Sequence, residues 1–131
     1  MPMSKTPLYN QLVADVRESI RLITAQDIET EPLASGTVVI DVREADEWSA
    51  GHASGAIHLS RGILEGAIEE KVTDLDTPIL LYCSGNGRAA LAAESLQKMG
   101  YTQVAALAGG LPEWRKARLP IVPGGSDSLM P

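Results

Sequence analysis

Apolar positions along this chain follow two rhythms, helical spacing and short unbroken runs, and the two alternate from one end to the other. In residues 8–20, Tyr9, Leu12, Val13, Val16 and Ile20 recur at helical spacing, which predicts an amphipathic helix lying on a core. Arg21-Leu22-Ile23-Thr24 reads as a short strand, followed by a helical turn from Ala25 that Pro32 stops. Val38-Val39-Ile40-Asp41-Val42 has the continuous apolar character of a strand covered on both faces. Glu44 to Trp48 suits a short helix ended by Gly51, residues 56–59 a short strand, and residues 62–71 another helix. Ile79-Leu80-Leu81-Tyr82-Cys83 is a second buried strand, entered through Thr77-Pro78. The strongest helix is 88–99: Ala89, Ala92, Ala93, Leu96 and Met99 share a face, Lys98 lies in the last turn, and Gly100 fits the C-terminal cap. Val104-Ala105-Ala106-Leu107 is a further strand before Gly109-Gly110, and a last helix runs over 112–117.

This alternation predicts an α/β domain with a mainly parallel sheet and helices on both faces. Residues 1–20 read as a helical extension, 21–122 as the domain, and 123–131, rich in Gly, Ser and Pro, as a mobile tail.

Composition narrows the function. The 131 residues suit one core, and with no Phe its interior falls to Leu, Ile, Val and Ala. A net charge of −6 without a basic run argues against nucleic acid as a partner. No apolar run approaches the roughly 20 residues of a membrane span. Met1 to Lys5 lead into mixed polar sequence rather than an export segment, so the cytoplasm is the expected compartment. The single cysteine permits no internal disulfide and leaves any thiol chemistry without a resolving partner in the chain. His52 and His58, with no second cysteine, give no metal-ligand spacing, and no metal or cofactor is expected.

The chemistry converges on Cys83-Ser84-Gly85-Asn86-Gly87-Arg88, between a buried strand and a helix. Ligands of open parallel sheets bind at such strand ends. Two glycines let successive N–H groups curl toward one point, the helix start adds unpaired N–H groups, and Arg88 adds a permanent cation. That setting favours a reactive thiolate at Cys83 over a buried, inert thiol. Two other chemistries fit less well. Gly85-Asn86-Gly87-Arg88-Ala89-Ala90 matches a dinucleotide fingerprint, but the next strand carries no acidic residue for a ribose, and only 41 residues follow Ala90. Cysteine phosphatases and arsenate reductases close a similar cradle with five residues between Cys and Arg; here there are four, which suits a sulfur atom better than a tetrahedral oxyanion.

Across residues 21–122 the chain resembles the rhodanese family of sulfurtransferases. The resemblance is carried by Ile40-Asp41-Val42-Arg43-Glu44, Glu47-Trp48 and Gly51-His52-Ala53-Ser54-Gly55-Ala56-Ile57-His58. It continues through the loop from Tyr82 to Arg88, Leu107-Ala108-Gly109-Gly110, Trp114 and Leu119-Pro120. It implies a five-stranded parallel sheet and a double displacement. Cys83 would take a sulfane sulfur from thiosulfate or a persulfide and hold it as a persulfide among the amides of residues 84–88. It would then pass the sulfur to cyanide, a thiol or a protein cysteine. The resemblance assigns substrate contact to Ser84, Gly85, Asn86, Gly87 and Arg88, and supporting roles to Asp41, Arg43 and His52. Asp41 and Arg43 are expected to hold neighbouring loops, His52 to pack a turn, and His58 and Arg61 either to line the entrance or to lie on the solvated surface. The loop has no cation besides Arg88, and position 89 is Ala where many relatives carry a hydroxyl, so a persulfide is expected to be a better donor than thiosulfate. The main alternative is a regulatory or sulfur-relay module of the same fold.

Overall fold

A computed structural model describes residues 6–123. Five parallel strands form the central sheet in the order β1-β6-β5-β2-β4: β1 Arg21–Ile23, β2 Val38–Asp41, β4 Ile57–His58, β5 Ile79–Tyr82 and β6 Val104–Leu107. The helices are α1 Pro7–Arg17, α2 Ala25–Thr30, α3 Ala45–Ser49, α4 Leu64–Lys71, α5 Gly87–Met99 and α6 Leu111–Lys116. The periodicity places each of these within a few residues. It misses a two-stranded antiparallel piece, β3 His52–Ala53 with β7 Ile121–Val122, because neither segment is long enough to show a period. The tail reading for 123–131 falls, beyond Pro123, outside the described residues.

Alternation along β5 divides the interior. Ile79, Leu81 and Cys83 pack with residues of α4 and α5, while Leu80 and Tyr82 pack with Ala25 and Ile28 of α2 and Leu111 and Trp114 of α6. Helices therefore cover both faces, and β5, buried throughout, has no polar side to expose. Helix ends are set locally. Thr24 caps α2 by accepting from the Asp27 N–H (3.0 Å), while Asp27 accepts from the Thr24 N–H (2.9 Å). Gly100 closes α5 at φ 108°, a left-handed cap that a glycine adopts without steric penalty.

Helix α1 departs in part from its expected face. Val13 and Val16 are buried against Ala90 of α5, but Leu12 remains 50% exposed and Leu8 87%. The helix meets the domain along a narrow stripe, so only part of the apolar arc read from spacing finds cover. Among the described residues, no helix is long and apolar enough to cross a membrane.

The topology fixes the place of the chemistry. From β2 the chain moves outward through α3 to β4, and from β5 it moves the opposite way through α5 to β6. The reversal opens a crevice beyond the carboxyl ends of β2 and β5, where open parallel sheets bind ligands.

Candidate active site

Cys83 lies one residue beyond β5, 1% exposed, with its side chain among core residues of the α4–α5 side. Its carbonyl accepts from the Leu111 N–H (2.8 Å), tying the strand end to the start of α6. Among the described residues, the backbone N–H groups of Ser84, Gly85, Asn86, Gly87 and Arg88 donate to no acceptor. Five consecutive unspent donors lie between a buried strand and a 13-residue helix, an arrangement that in general can stabilise an anion. The side chains hold this turn from outside. Asn86 Oδ1 accepts from the Gly109 N–H (2.8 Å), and Ser84 Oγ accepts from Arg88 Nη2 (2.8 Å). Gly110, at φ 66°, fits against the back of the loop, where a Cβ would stand 2.7 Å from the Gly85 nitrogen. Its absent side chain is a condition of the loop's shape.

Arg88 is held by a carboxylate rather than by loop carbonyls. Its Nη1 and Nη2 donate to Glu47 Oε1 (2.6 Å) and Oε2 (3.1 Å), bridging α5 to α3 across the crevice. Glu47 is itself fixed, because Oε1 also accepts from the Glu44 N–H (3.1 Å) at the start of α3. The Arg88 hydrogen bond holds the Glu47 carboxyl below its usual range, and the same bond raises the Arg88 guanidinium. In the sequence Glu47 stands out only as part of the Glu47-Trp48 motif. It lies 41 residues from Arg88, so no local spacing could pair them.

Asp41 and Arg43 form a buried frame beside the crevice. Asp41 accepts from Arg43 Nη2 (2.8 Å), Arg43 Nε (3.1 Å) and the Tyr82 hydroxyl (2.6 Å), and Arg43 Nη2 donates also to the Gly51 carbonyl (2.7 Å). Burial works against the Arg43 charge, but the Asp41 hydrogen bond and field outweigh it and raise its pKa. Burial first, then Asp41, pushes the Tyr82 hydroxyl far upward, so it serves as a neutral donor.

His52 stacks on Trp48 (ring centroids 3.4 Å) and pairs through Nδ1 with the Trp48 carbonyl (3.0 Å). His58 neither lines an entrance nor lies on the surface. It is fully buried, stacked on Trp48 at 5.0 Å, with Nε2 against the Arg43 carbonyl (2.7 Å). The reason is that β4 lies at the sheet edge under α3, so its inward side chain meets the indole. Arg61 pairs with Glu65 (2.7 Å). Among the described residues no group of three or more His, Cys, Asp or Glu could hold a metal ion.

The fold and the turn after β5 define an α/β protein with one buried cysteine at a strand end, followed by a run of backbone N–H groups that donate to no acceptor among the described residues. Residues 24–117 match the rhodanese-like domain model, and the chain belongs to that family. It is 35% identical over 82 residues to a thiosulfate sulfurtransferase, GlpE, of Pseudomonas entomophila, covering 63% of this chain and 73% of that protein. A protein of unknown function from Rhodopseudomonas palustris, described as a possible tyrosine phosphatase, superposes with a TM-score of 0.79 at 31% identity. That match covers 93% of this chain and 99% of the other. The polysulfide-sulfur transferase homodimer of Wolinella succinogenes superposes with a TM-score of 0.71 at 25% identity, covering 90% of each chain.

Proposed function

We propose that the protein is a sulfurtransferase that carries sulfane sulfur on Cys83. The observation that carries this reading is the run of five unspent N–H groups immediately after that cysteine. In the first half-reaction the Cys83 thiolate attacks the outer sulfur of the donor. The donor's S–S bond breaks, its electron pair leaves with sulfite or a thiolate, and a new S–S bond forms on Cys83. The amides of residues 84–88 stabilise the outer sulfur as its charge develops. In the second half-reaction an acceptor thiolate or cyanide attacks that outer sulfur, and Cys83 leaves as the thiolate. One cysteine suffices, and no redox change or cofactor is needed.

The donor we favour is a persulfide or polysulfide. Arg88, the loop's one cation, already shares its charge with Glu47, so the cradle offers a dianion such as thiosulfate little net attraction. The frame of Asp41, Arg43 and Tyr82 positions the strand ends, His52 packs the turn, and Ser84, Gly85, Asn86, Gly87 and Arg88 shape the cradle. We place the reaction in the cytoplasm, with a small sulfur donor and either a small thiol or a protein cysteine as acceptor.

The test is intact mass of the reduced protein after incubation with thiosulfate or with glutathione persulfide, then with cyanide. The expected result is a gain of one sulfur, lost to cyanide as thiocyanate, and no gain in Cys83→Ser with its fold intact. No gain from either donor in folded, reduced protein would overturn the proposal and favour a binding or relay module. Hydrolysis of p-nitrophenyl phosphate without sulfur loading would favour the phosphatase description of the R. palustris relative, against which the four-residue spacing from Cys83 to Arg88 speaks.

A further inference from the structure

Helix α1 precedes the residues that match the family model, yet it reaches the cradle. The Tyr9 ring packs directly over Gly87, the first residue of α5, where any Cβ would overlap its hydroxyl. Below that contact, α1 and the loop enclose a groove of about 320 Å³ whose lining includes Tyr9, Arg17, Asn86 and Gly87. Arg17 sits at the far end of α1, about 12 Å along the helix from Tyr9 at 1.5 Å per residue.

The state of Arg17 is unlike that of the arginines at the crevice. Arg43 and Arg88, beside the crevice, are each neutralised by a carboxylate, respectively Asp41 and Glu47. Arg17 makes no ion pair among the described residues, and its Nε is shut off from solvent without a hydrogen-bond partner. With no carboxylate partner and a place in the groove lining, the Arg17 guanidinium suits a planar anion that accepts from its fork of N–H groups.

From this geometry we infer that the groove between α1 and the Cys83 loop is a subsite for a peptide-sized thiol bearing a carboxylate, with Arg17 holding the carboxylate and Tyr9 guiding the sulfur end to the cradle. The inference rests on the sulfurtransferase reading, because that reading places sulfur at one end of the ligand. The groove supplies the cation for the other end. A ligand that bridges the two is longer than thiosulfate and has its charge distant from the sulfur. The same ligand enters as a thiol when it accepts sulfur and as its persulfide when it donates. In both half-reactions the bond changes are those given above, and Arg17 takes no part in them.

The experiment compares glutathione with its diethyl ester, which keeps the thiol and lacks free carboxylates, in wild type, Arg17→Ala and Arg17→Lys full-length proteins. Expected is a roughly tenfold rise in KM for glutathione in Arg17→Ala, partial recovery in Arg17→Lys, and no change for the diethyl ester. A rise confined to loading from glutathione persulfide assigns the groove to the donor, and one confined to unloading assigns it to the acceptor. Binding of S-methylglutathione is followed in parallel by amide shifts of Tyr9, Arg17, Asn86 and Gly87, a readout independent of turnover. Equal KM changes for glutathione and ester, or S-methylglutathione shifts that survive Arg17→Ala unchanged, would overturn the inference. Absence of sulfur loading in the wild type would instead remove the underlying reading, while the binding measurement would still report on the groove.

Discussion

Glu47→Gln is the substitution that most directly tests how charge is arranged around Cys83. Among the described residues Glu47 makes no hydrogen bond to the backbone of the Cys83 loop, and its carboxylate accepts from Arg88 Nη1 and Nη2 at 2.6 and 3.1 Å. A separation of about 7 Å between that carboxylate and a donor held near Arg88 sets the scale of the repulsion. Two negative charges on thiosulfate facing one on Glu47 at ~7 Å repel by about 1.2 kcal/mol in a water-like dielectric, from 332/(εr) per charge pair. Glutamine keeps the shape and one acceptor but removes the charge. The kcat/KM for thiosulfate should therefore rise about sevenfold, since ~1.4 kcal/mol is tenfold. A persulfide presents at most one charge at the reacting end, so its gain should stay within about threefold. The effect should shrink as ionic strength is raised, because both partners reach solvent. The assay is steady-state thiocyanate formation with each donor across a salt series. An unchanged or reduced thiosulfate rate in Glu47→Gln, or an equal change for both donors, would refute the charge argument and leave Glu47 as a device for orienting Arg88.

Asp41→Ala should lower stability by about 3–5 kcal/mol, because it leaves the buried Arg43 guanidinium and Tyr82 hydroxyl without their shared acceptor. Urea titration reads this directly, and a loss below about 1 kcal/mol would show that the Asp41 frame carries no such load. Gly110→Ala should abolish sulfur loading while the sheet persists, since its Cβ would press on Gly85 and the Cys83 carbonyl from behind the cradle. Full loading in that variant, read by intact mass, would mean the loop tolerates displacement. The Arg88 hydrogen bond holds the folded Glu47 carboxyl below its unfolded range, so the stability that this pair contributes is complete above the unfolded value. That stability is lost as pH falls through the depressed folded value. Thermal melts from pH 6 downward should show a steeper loss in wild type than in Glu47→Gln, and parallel curves would contradict this.

What the sequence determined on its own was whatever repeats locally or depends on residue type at one spot. The apolar runs of β2 and β5 and the face of α5 follow from period and burial, and the turn after Cys83 follows from two glycines ahead of a helix start. The tertiary structure decided the contacts between segments distant in the chain. Glu47 meets Arg88 across 41 residues because the chain reverses direction between β2 and β5. His58 is buried because its edge strand runs beneath Trp48, although its residue type suggested solvent. Tyr9 covers Gly87 because Val13 and Val16 seat α1 on Ala90, which no pattern within residues 8–20 could state. Side-chain periodicity reports which face of an element is apolar; which element that face will meet depends on the path of the whole chain.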